Sequence, residues 1–168
     1  AVFDFYAHNP HPYVFQRDPE VWKERIASGA VTLIEDAQGK IHAAAIAYPI
    51  LSQDASGHET HRWTEVGSVR VATADTGLFN PLLSAFVVRS WLLEPPEDRF
   101  IMEIASHNTH SKHVFGKLGA TPFQPPSELT DQVNKTLTGN RPPVDWFQMG
   151  AESVPQLAQQ LLSYQGAK

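Results

Sequence analysis

The feature of this sequence that most constrains its fold is the alternation of short β-prone runs with helical patterns along the chain. Strand patterns have a period of two residues, whereas helical patterns carry an apolar stripe and end at capping residues. In chain order the patterns are helix, strand, strand, strand, helix, strand, helix, strand and helix. This order predicts a mixed α/β (α+β) fold, in which helices flank a central β-sheet.

Turn-forming and capping residues set the predicted boundaries. The predicted helices are 18–29 with Asp18 as N-cap, 81–93 with Asn80 as N-cap, 109–118 closed by Gly119, and an amphipathic helix near the end with Leu157, Leu161 and Leu162. The predicted strands are two arms of a hairpin within 30–50, then 63–73, 99–105 and 143–150. The opening, the polar stretch 51–62 and the stretch after Pro122 are predicted to be irregular.

Size and composition exclude several classes of function. A chain of 168 residues suits one domain, and a net charge of −5 is unsuited to a nucleic-acid surface. No run of eighteen apolar residues occurs, so a membrane span is not expected. The absence of cysteine excludes disulfides, cysteine-bound metals and thiol nucleophiles. We therefore expect a cytoplasmic protein without nucleic-acid or membrane partners.

Between residues 31 and 123 a strand WTEVGSVRV, a glycine before a helix, a further strand and the pattern N-x-x-S-x-x-V-F-x-K-L-G-A follow one another. Together they resemble the GNAT superfamily of N-acetyltransferases, whose last segment has the form N-x-x-A-x-x-h-Y-x-K-x-G-F. The resemblance implies an acyl-CoA N-acyltransferase-like fold, with acetyl-CoA or another acyl-CoA as co-substrate. It also implies a single GNAT-like domain over 1–168, either lacking an N-terminal strand or excised from a longer protein.

The resemblance further implies where the cofactor binds. The cofactor-binding residues implied are Val69, Val71, Gly77, Leu78, Phe79, Asn108 and Phe115. A helix N-terminus suits the pyrophosphate, because it offers free N–H donors and the positive end of the helix dipole. The phosphate turn departs from the family pattern: Ala74 stands at the basic position, Phe79 at a small one, Asp75 adds a negative charge and Pro81 removes a donor.

Acyl transfer to an amine needs a proton acceptor for the amine, a donor for the oxyanion and a proton for the leaving thiolate. Glu65, in the strand that would face the acyl group, is the first candidate for the proton acceptor, since burial would raise its pKa. The alternative is a strand-surface carboxylate paired with Arg62 or Arg70. Glu103, on the next strand, is a second candidate.

The proton for the thiolate is the difficult part, because the Tyr that supplies it in many family members aligns with Phe115. Ser111 shares a helix face with Phe115 at a spacing of four residues and is the candidate catalytic residue here. His110 and His113 are alternatives, although His113 should point away from that face.

The histidines raise the question of a metal site. His107, His110 and His113 recur every three residues, so on a helix the third lies about 120° from the first. His58 and His61 could add a ligand, but no zinc spacing is present. We expect no metal, and we interpret the three histidines as the solvated face of the helix.

Three functions follow from the resemblance. The first is an acyl-CoA-dependent N-acyltransferase acting on an amine of a small molecule or protein, with a cationic acceptor favoured by the negative net charge. The second is a catalytically degenerate GNAT-fold binding module. The third is a GNAT-fold enzyme with altered chemistry, either O-acyl transfer or thioester hydrolysis. A homodimer is left open.

Overall fold

The computed structural model describes residues 1–73 and 76–164. The helices are α1 (Val2–His8), α2 (Pro19–Ala27), α3 (Phe79–Leu93), α4 (Thr109–Lys117), α5 (Ser127–Thr136) and α6 (Val154–Ser163). The strands are β1 (Val31–Glu35), β2 (Ile41–Gln53), β3 (Glu59–Val71), β4 (Arg99–Ala105), β5 (Thr121–Pro122) and β6 (Val144–Met149). A 3₁₀ turn over Ala151–Ser153 leads into α6.

The six strands form one sheet in the order β1-β2-β3-β4-β6-β5. Neighbouring strands are antiparallel except β3 and β4, which are parallel and are connected through α3. The parallel ladder is short and consists of the pairs Trp63–Arg99, Thr64–Phe100 and Glu65–Ile101. Beyond these pairs β3 and β4 separate, so the sheet opens in its middle.

Both faces of the sheet are covered, because alternate residues of the central strands point to opposite faces. On β4, Phe100 and Met102 belong to the core packed by α3 and α6, whereas Ile101 belongs to a cluster packed by α5. A further cluster on β2 includes Ile46 and Tyr48 and is packed by α1 and α2. The prediction of a mixed sheet flanked by helices is confirmed.

Local signals were sufficient for several elements. Asp18 caps α2 by accepting a hydrogen bond from the backbone N–H of Glu20, and Pro19 begins the helix. Gly119 follows α4 with a φ of +96°, a left-handed conformation that glycine adopts without strain. The predicted strand 99–105 agrees with β4 at both ends. Of the terminal leucines, Leu157 is buried but Leu162 is exposed.

Other boundaries were wrong. The stretch 51–62 is mostly strand, because β2 and β3 extend into a long hairpin that turns over 54–58, where the Asp54 side chain accepts two backbone N–H groups. Asn80 is not an N-cap, since α3 begins at Phe79 with Leu78 as N-cap.

Two helices were missed, α1 in the opening segment and α5 after the prolines. Helix α5 is fixed by tertiary burial of Leu129 and Val133, which lie one turn apart against the sheet. Among residues 1–73 and 76–164, no helix is both long and apolar enough to cross a membrane.

Candidate active site

A cleft of about 360 Å³ lies where β3 and β4 separate. Its walls are residues 65–71 of β3 and 102–105 of β4, and the N-termini of α3 and α4 close one end. Because the β3–β4 ladder ends at Glu65, the following β3 backbone has no strand partner on the β4 side. Its N–H and C=O groups are therefore available to a molecule in the cleft.

The wall of the cleft bends at a β-bulge in β3. The register between β2 and β3 shifts here, and Ser68 has a φ of +47°, unusual for a residue other than glycine. Two tyrosines hold the bulge: the Tyr6 hydroxyl donates to the Ser68 carbonyl, and the Tyr48 hydroxyl lies 2.8 Å from the Ser68 Oγ. Val69 and Val71, the predicted backbone donors, both line the cleft just after the bulge.

The predicted phosphate turn lies at the N-terminus of α3, and its three residues Gly77, Leu78 and Phe79 line the cleft. No side chain caps this end of α3, so the first-turn N–H groups are left for a ligand. Pro81 lies in that turn and supplies no donor, as expected. Ala74 and Asp75 lie outside the described residues.

Asn108 caps α4 and lines the cleft at the same time. Its Oδ1 accepts from the Ser111 backbone N–H at 3.1 Å, and its Nδ2 donates to the Ser111 Oγ at 2.9 Å. The Ser111 hydroxyl acts as acceptor in this contact, so its own proton is free for another acceptor. Ser111 and Phe115 both line the cleft, as their spacing on the helix predicted.

Phe115 occupies the position of the family's Tyr. Its side chain is buried, and its ring meets that of Phe79 edge to face, with centroids 5.7 Å apart. Two predicted cofactor residues from different helices therefore make one apolar wall of the cleft.

Glu65 is buried in the cleft and bound to an unexpected partner. Its Oε1 accepts a hydrogen bond from the Nη2 of Arg17, and the two side chains are 5% and 2% exposed. Arg17 also donates to Thr136, and its guanidinium lies 3.9 Å from the centre of the Tyr48 ring. The alternative to a catalytic role, a strand-surface carboxylate paired with Arg62 or Arg70, is wrong, because Glu65 is buried and its partner is Arg17.

Glu103 lines the same cleft, and its side chain is 1% exposed. Its Oε2 accepts from the Nη1 of Arg141, while its Oε1 is buried without a hydrogen-bond partner among the described residues. Burial raises the pKa of Glu103, and the charge of Glu65 raises it further, against the opposing effect of Arg141. A buried carboxylate with a raised pKa and a free oxygen is suited to accept a proton.

Sequence reasoning missed the residues that approach the cleft from distant segments, namely His11, Tyr13, Arg17 and Arg141. Tyr13 brings a phenol into the cleft, and its ring lies 5.0 Å from that of His107. These residues lie in segments predicted to be irregular, where no periodic pattern marks a buried or functional side chain.

His107, His110 and His113 are exposed, as predicted, although His107 precedes the N-cap of α4 and lies outside the helix. His110 lies at the edge of the cleft, whereas His113 is not among the lining residues. Within the part of the chain that the structure describes, no three His, Asp or Glu side chains are grouped to hold a metal ion.

Sequence comparison finds no relatives: no family model and no curated protein sequence matches the chain. Solved structures do match. Chaetomium thermophilum Naa20, in complex with a bisubstrate analogue, is 12% identical with a TM-score of 0.63, over 91% of this chain and 84% of that one. Vibrio cholerae spermidine N-acetyltransferase, in complex with CoA and spermine, is 16% identical with a TM-score of 0.56, over 88% and 86%.

Neisseria gonorrhoeae N-acetylglutamate synthase, complexed with coenzyme A and N-acetyl-glutamate, is 13% identical with a TM-score of 0.58, over 88% of this chain and 32% of that one. At these identities the similarity concerns the fold. The chain has the fold of the GNAT N-acetyltransferases, a mixed six-stranded sheet flanked by helices.

Proposed function

We propose that this protein is an acyl-CoA-dependent N-acyltransferase, with acetyl-CoA as the first candidate donor. One observation carries the proposal: all nine residues predicted for cofactor binding and catalysis line the cleft between β3 and β4. The structures that share the fold include N-acetyltransferases bound to CoA or to a bisubstrate analogue, which supports the same use of this cleft.

The cofactor would lie along the cleft with its pyrophosphate at the N-terminus of α3. The N–H groups near Leu78 and Phe79 would bind the phosphate oxygens, which compensates in part for the missing basic residue. The pantetheine arm would run along β3 beside Asn108. The thioester carbonyl would then receive a hydrogen bond from the β3 backbone near Val69, where charge develops in the transition state.

Two carboxylates compete for the role of proton acceptor. Glu65 was the first candidate, but Arg17 binds it in a buried ion pair and also contacts Thr136. Glu103 has a buried oxygen without a partner among the described residues, and its pKa is raised. We therefore assign the first proton of the amine to Glu103, and we assign Glu65 to fixing the cleft wall through Arg17.

The leaving sulfur needs a proton that Phe115 does not have. Ser111 and Tyr13 bring hydroxyl groups to the cleft, and a phenol is the more acidic of the two. We propose that Ser111 donates a hydrogen bond to the sulfur and that Tyr13 supplies the proton. Tyr13→Phe should then lower the rate more than Ser111→Ala, with acetyl-CoA affinity unchanged in both variants.

The proposal is tested by titration calorimetry with acetyl-CoA and by thiol release in the presence of amines. A carboxylate placed at the phosphate site should repel the pyrophosphate, so Phe79→Glu is expected to weaken acetyl-CoA affinity at least tenfold. Leu92→Glu is the matched control, because Leu92 lies near the other end of α3 and is 75% exposed. Absence of acetyl-CoA and CoA binding by the unaltered protein would overturn the proposal.

A non-catalytic module is the second candidate, favoured by Phe115 and by the buried ion pair of Glu65 with Arg17. It predicts CoA binding without thiol release for any amine. Thiol release without an added amine would instead indicate thioester hydrolysis, and release that depends on a hydroxyl compound would indicate O-acyl transfer. The cytoplasmic location and a homodimer stay predictions.

A further inference from the structure

A second cavity, of about 450 Å³, adjoins the proposed cofactor cleft. It lies between the segment that precedes α2 and the segment 134–142, which runs from the end of α5 toward β6. His11, Val14 and Phe15 line both cavities, so this stretch of chain forms part of the wall between them.

The second cavity carries little charge, and that charge is positive. The described residues that line it include no Asp, Glu or Lys. They include one arginine, Arg141, which carries the positive charge. Partial burial, together with the charge of Arg70, lowers the pKa of His11, so its ring is held toward the neutral form. A polyamine would find no carboxylate here to complement its ammonium groups.

Arg141 has N–H donors beyond those used in its two hydrogen bonds to described residues. Its guanidinium donates one N–H to Glu103 and one to Asn134 Oδ1, which leaves three of its five N–H groups for another acceptor. Its side chain is 24% exposed, and Arg141 lines the second cavity. A planar fork of N–H donors is the group that best matches a carboxylate.

The partner of Arg141 faces the other cavity. Glu103 lines the cofactor cleft, and its Oε1 is buried without a partner among the described residues. The Glu103–Arg141 ion pair thus presents free N–H donors on one side and a free carboxylate oxygen on the other. An α-amino acid carries the complementary charges on a single carbon, a carboxylate beside an ammonium group.

We propose that the acyl acceptor is a free amino acid, whose carboxylate binds Arg141 and whose amine faces Glu103. This inference rests on the proposed acyltransferase function. It narrows the acyl acceptor to a free amino acid, rather than a polyamine or a peptide amine. The ammonium loses one proton to Glu103, the nitrogen forms the C–N bond, and the C–S bond breaks. The nitrogen loses two protons in all: the equivalent of one ends on the sulfur of CoA and the other in solvent, giving an N-acyl amino acid.

The sharpest test compares an amino acid with its own carboxamide. The twenty proteinogenic amino acids are first screened with acetyl-CoA by thiol release, and the best substrate is then measured beside its carboxamide and spermidine. The amine of the carboxamide is less basic than that of the amino acid, so a larger fraction of it is in the reactive, unprotonated form. Without a binding preference, the carboxamide would therefore react faster. We expect kcat/KM at least tenfold higher for the amino acid; equal or faster reaction of the carboxamide or of spermidine would overturn the inference.

Arg141→Gln tests the residue that recognises the carboxylate. The preference for the amino acid over its carboxamide should fall below threefold, whatever happens to the absolute rate. Arg62→Gln is the matched control, because Arg62 forms a surface ion pair with Asp98 outside both cavities, and it should keep the preference. An unchanged preference in Arg141→Gln would count against the proposal.

A binding measurement separates this inference from the proposed function. Amino acids and the carboxamides are titrated into the protein saturated with CoA. Preferential binding of an amino acid, lost in Arg141→Gln, supports the inference even where no turnover occurs and the proposed function fails. If no amino acid binds while other amines release thiol, the proposed function stands and this inference is wrong.

Discussion

Two buried glutamates on neighbouring strands face the same cleft, and each is paired with an arginine from a distant segment, but the two pairs differ. In the Glu65–Arg17 pair both side chains are at least 95% buried, and Arg17 also bonds Thr136 and stacks on Tyr48. In the Glu103–Arg141 pair the arginine is partly exposed, and one buried carboxylate oxygen has no partner within residues 1–73 and 76–164.

The comparison shows that two buried glutamate–arginine pairs can differ in exposure and in hydrogen bonding, and so in their roles. Burying two charges is costly, and the cost is repaid only where geometry and further hydrogen bonds are good. The pair at Glu65 is supported by the bond of Arg17 to Thr136 and connects β3 with the end of α5 and the segment before α2, although the Arg17 Nε is buried without a partner among the described residues. In the pair at Glu103 it is a carboxylate oxygen, Oε1, that is buried without such a partner, which is a stability cost that a bound substrate can offset.

The largest expected effect comes from breaking the closed pair. Arg17→Met leaves the carboxylate of Glu65 buried and unpaired, so the free energy of unfolding should fall by about 3–5 kcal/mol in denaturant titrations. Arg62→Met, at a surface ion pair, should lower it by less than about 1 kcal/mol. Similar losses in the two variants would mean that the Glu65–Arg17 pair contributes no more than a surface pair.

The second effect separates the two glutamates by rate. Glu103→Gln removes the proposed proton acceptor, so kcat should fall about 100-fold or more, with little change in acetyl-CoA affinity. Glu65→Gln should affect stability more than kcat, because it weakens the contact with Arg17. The assignment would be reversed if Glu65→Gln, still folded, lost the greater part of kcat.

The third effect disturbs the aromatic support of the closed pair. A Cβ at Gly67 would lie 2.6 and 2.7 Å from two ring carbons of Tyr48, whose ring is held against Arg17 and hydrogen-bonded to Ser68. Gly67→Ala should therefore lower the free energy of unfolding by about 1–3 kcal/mol. Gly116→Ala, in α4 with open space around it, should be neutral or stabilising by up to about 1 kcal/mol.

The smallest effect is the pH dependence of the open pair. Burial raises the pKa of Glu103 in the folded protein above its ordinary value of 4.5. The contribution of this group to the free energy of unfolding is therefore complete below pH 4.5 and is lost as the pH rises through the folded pKa. In Glu103→Gln this decline should be absent when the free energy of unfolding is measured across the same pH range. If the ionised form is the proton acceptor, kcat of the unaltered protein should rise over the same window, and a flat profile would argue against it.

The parts of the fold that could be predicted were those with local signals. Asp18 and Pro19 begin a helix, Gly119 ends one, and the apolar run of β4 is bounded by polar residues, so these elements needed no knowledge of the rest of the chain. Helix α5 could not be predicted in this way, because prolines precede it and its apolar residues are buried only by packing against the sheet.

The candidate site divides in the same way. Asn108, Ser111 and Phe115 lie on one short helix, and their spacing alone placed them on a common side. The arginine partners could not be found, since Arg17 lies 48 residues from Glu65 and Arg141 lies 38 from Glu103. No periodic pattern relates residues that far apart.

By itself, the sequence determined the order of most strands and helices and the family resemblance of residues 108–120, because capping, turn chemistry and periodicity act over a few residues. Only folding brings Arg17 to Glu65 and Arg141 to Glu103, and only folding buries one oxygen of Glu103 without a partner among the described residues. Burial and long-range pairing set the desolvation and the partners of a charged group, and both depend on chain segments that meet only in the folded protein.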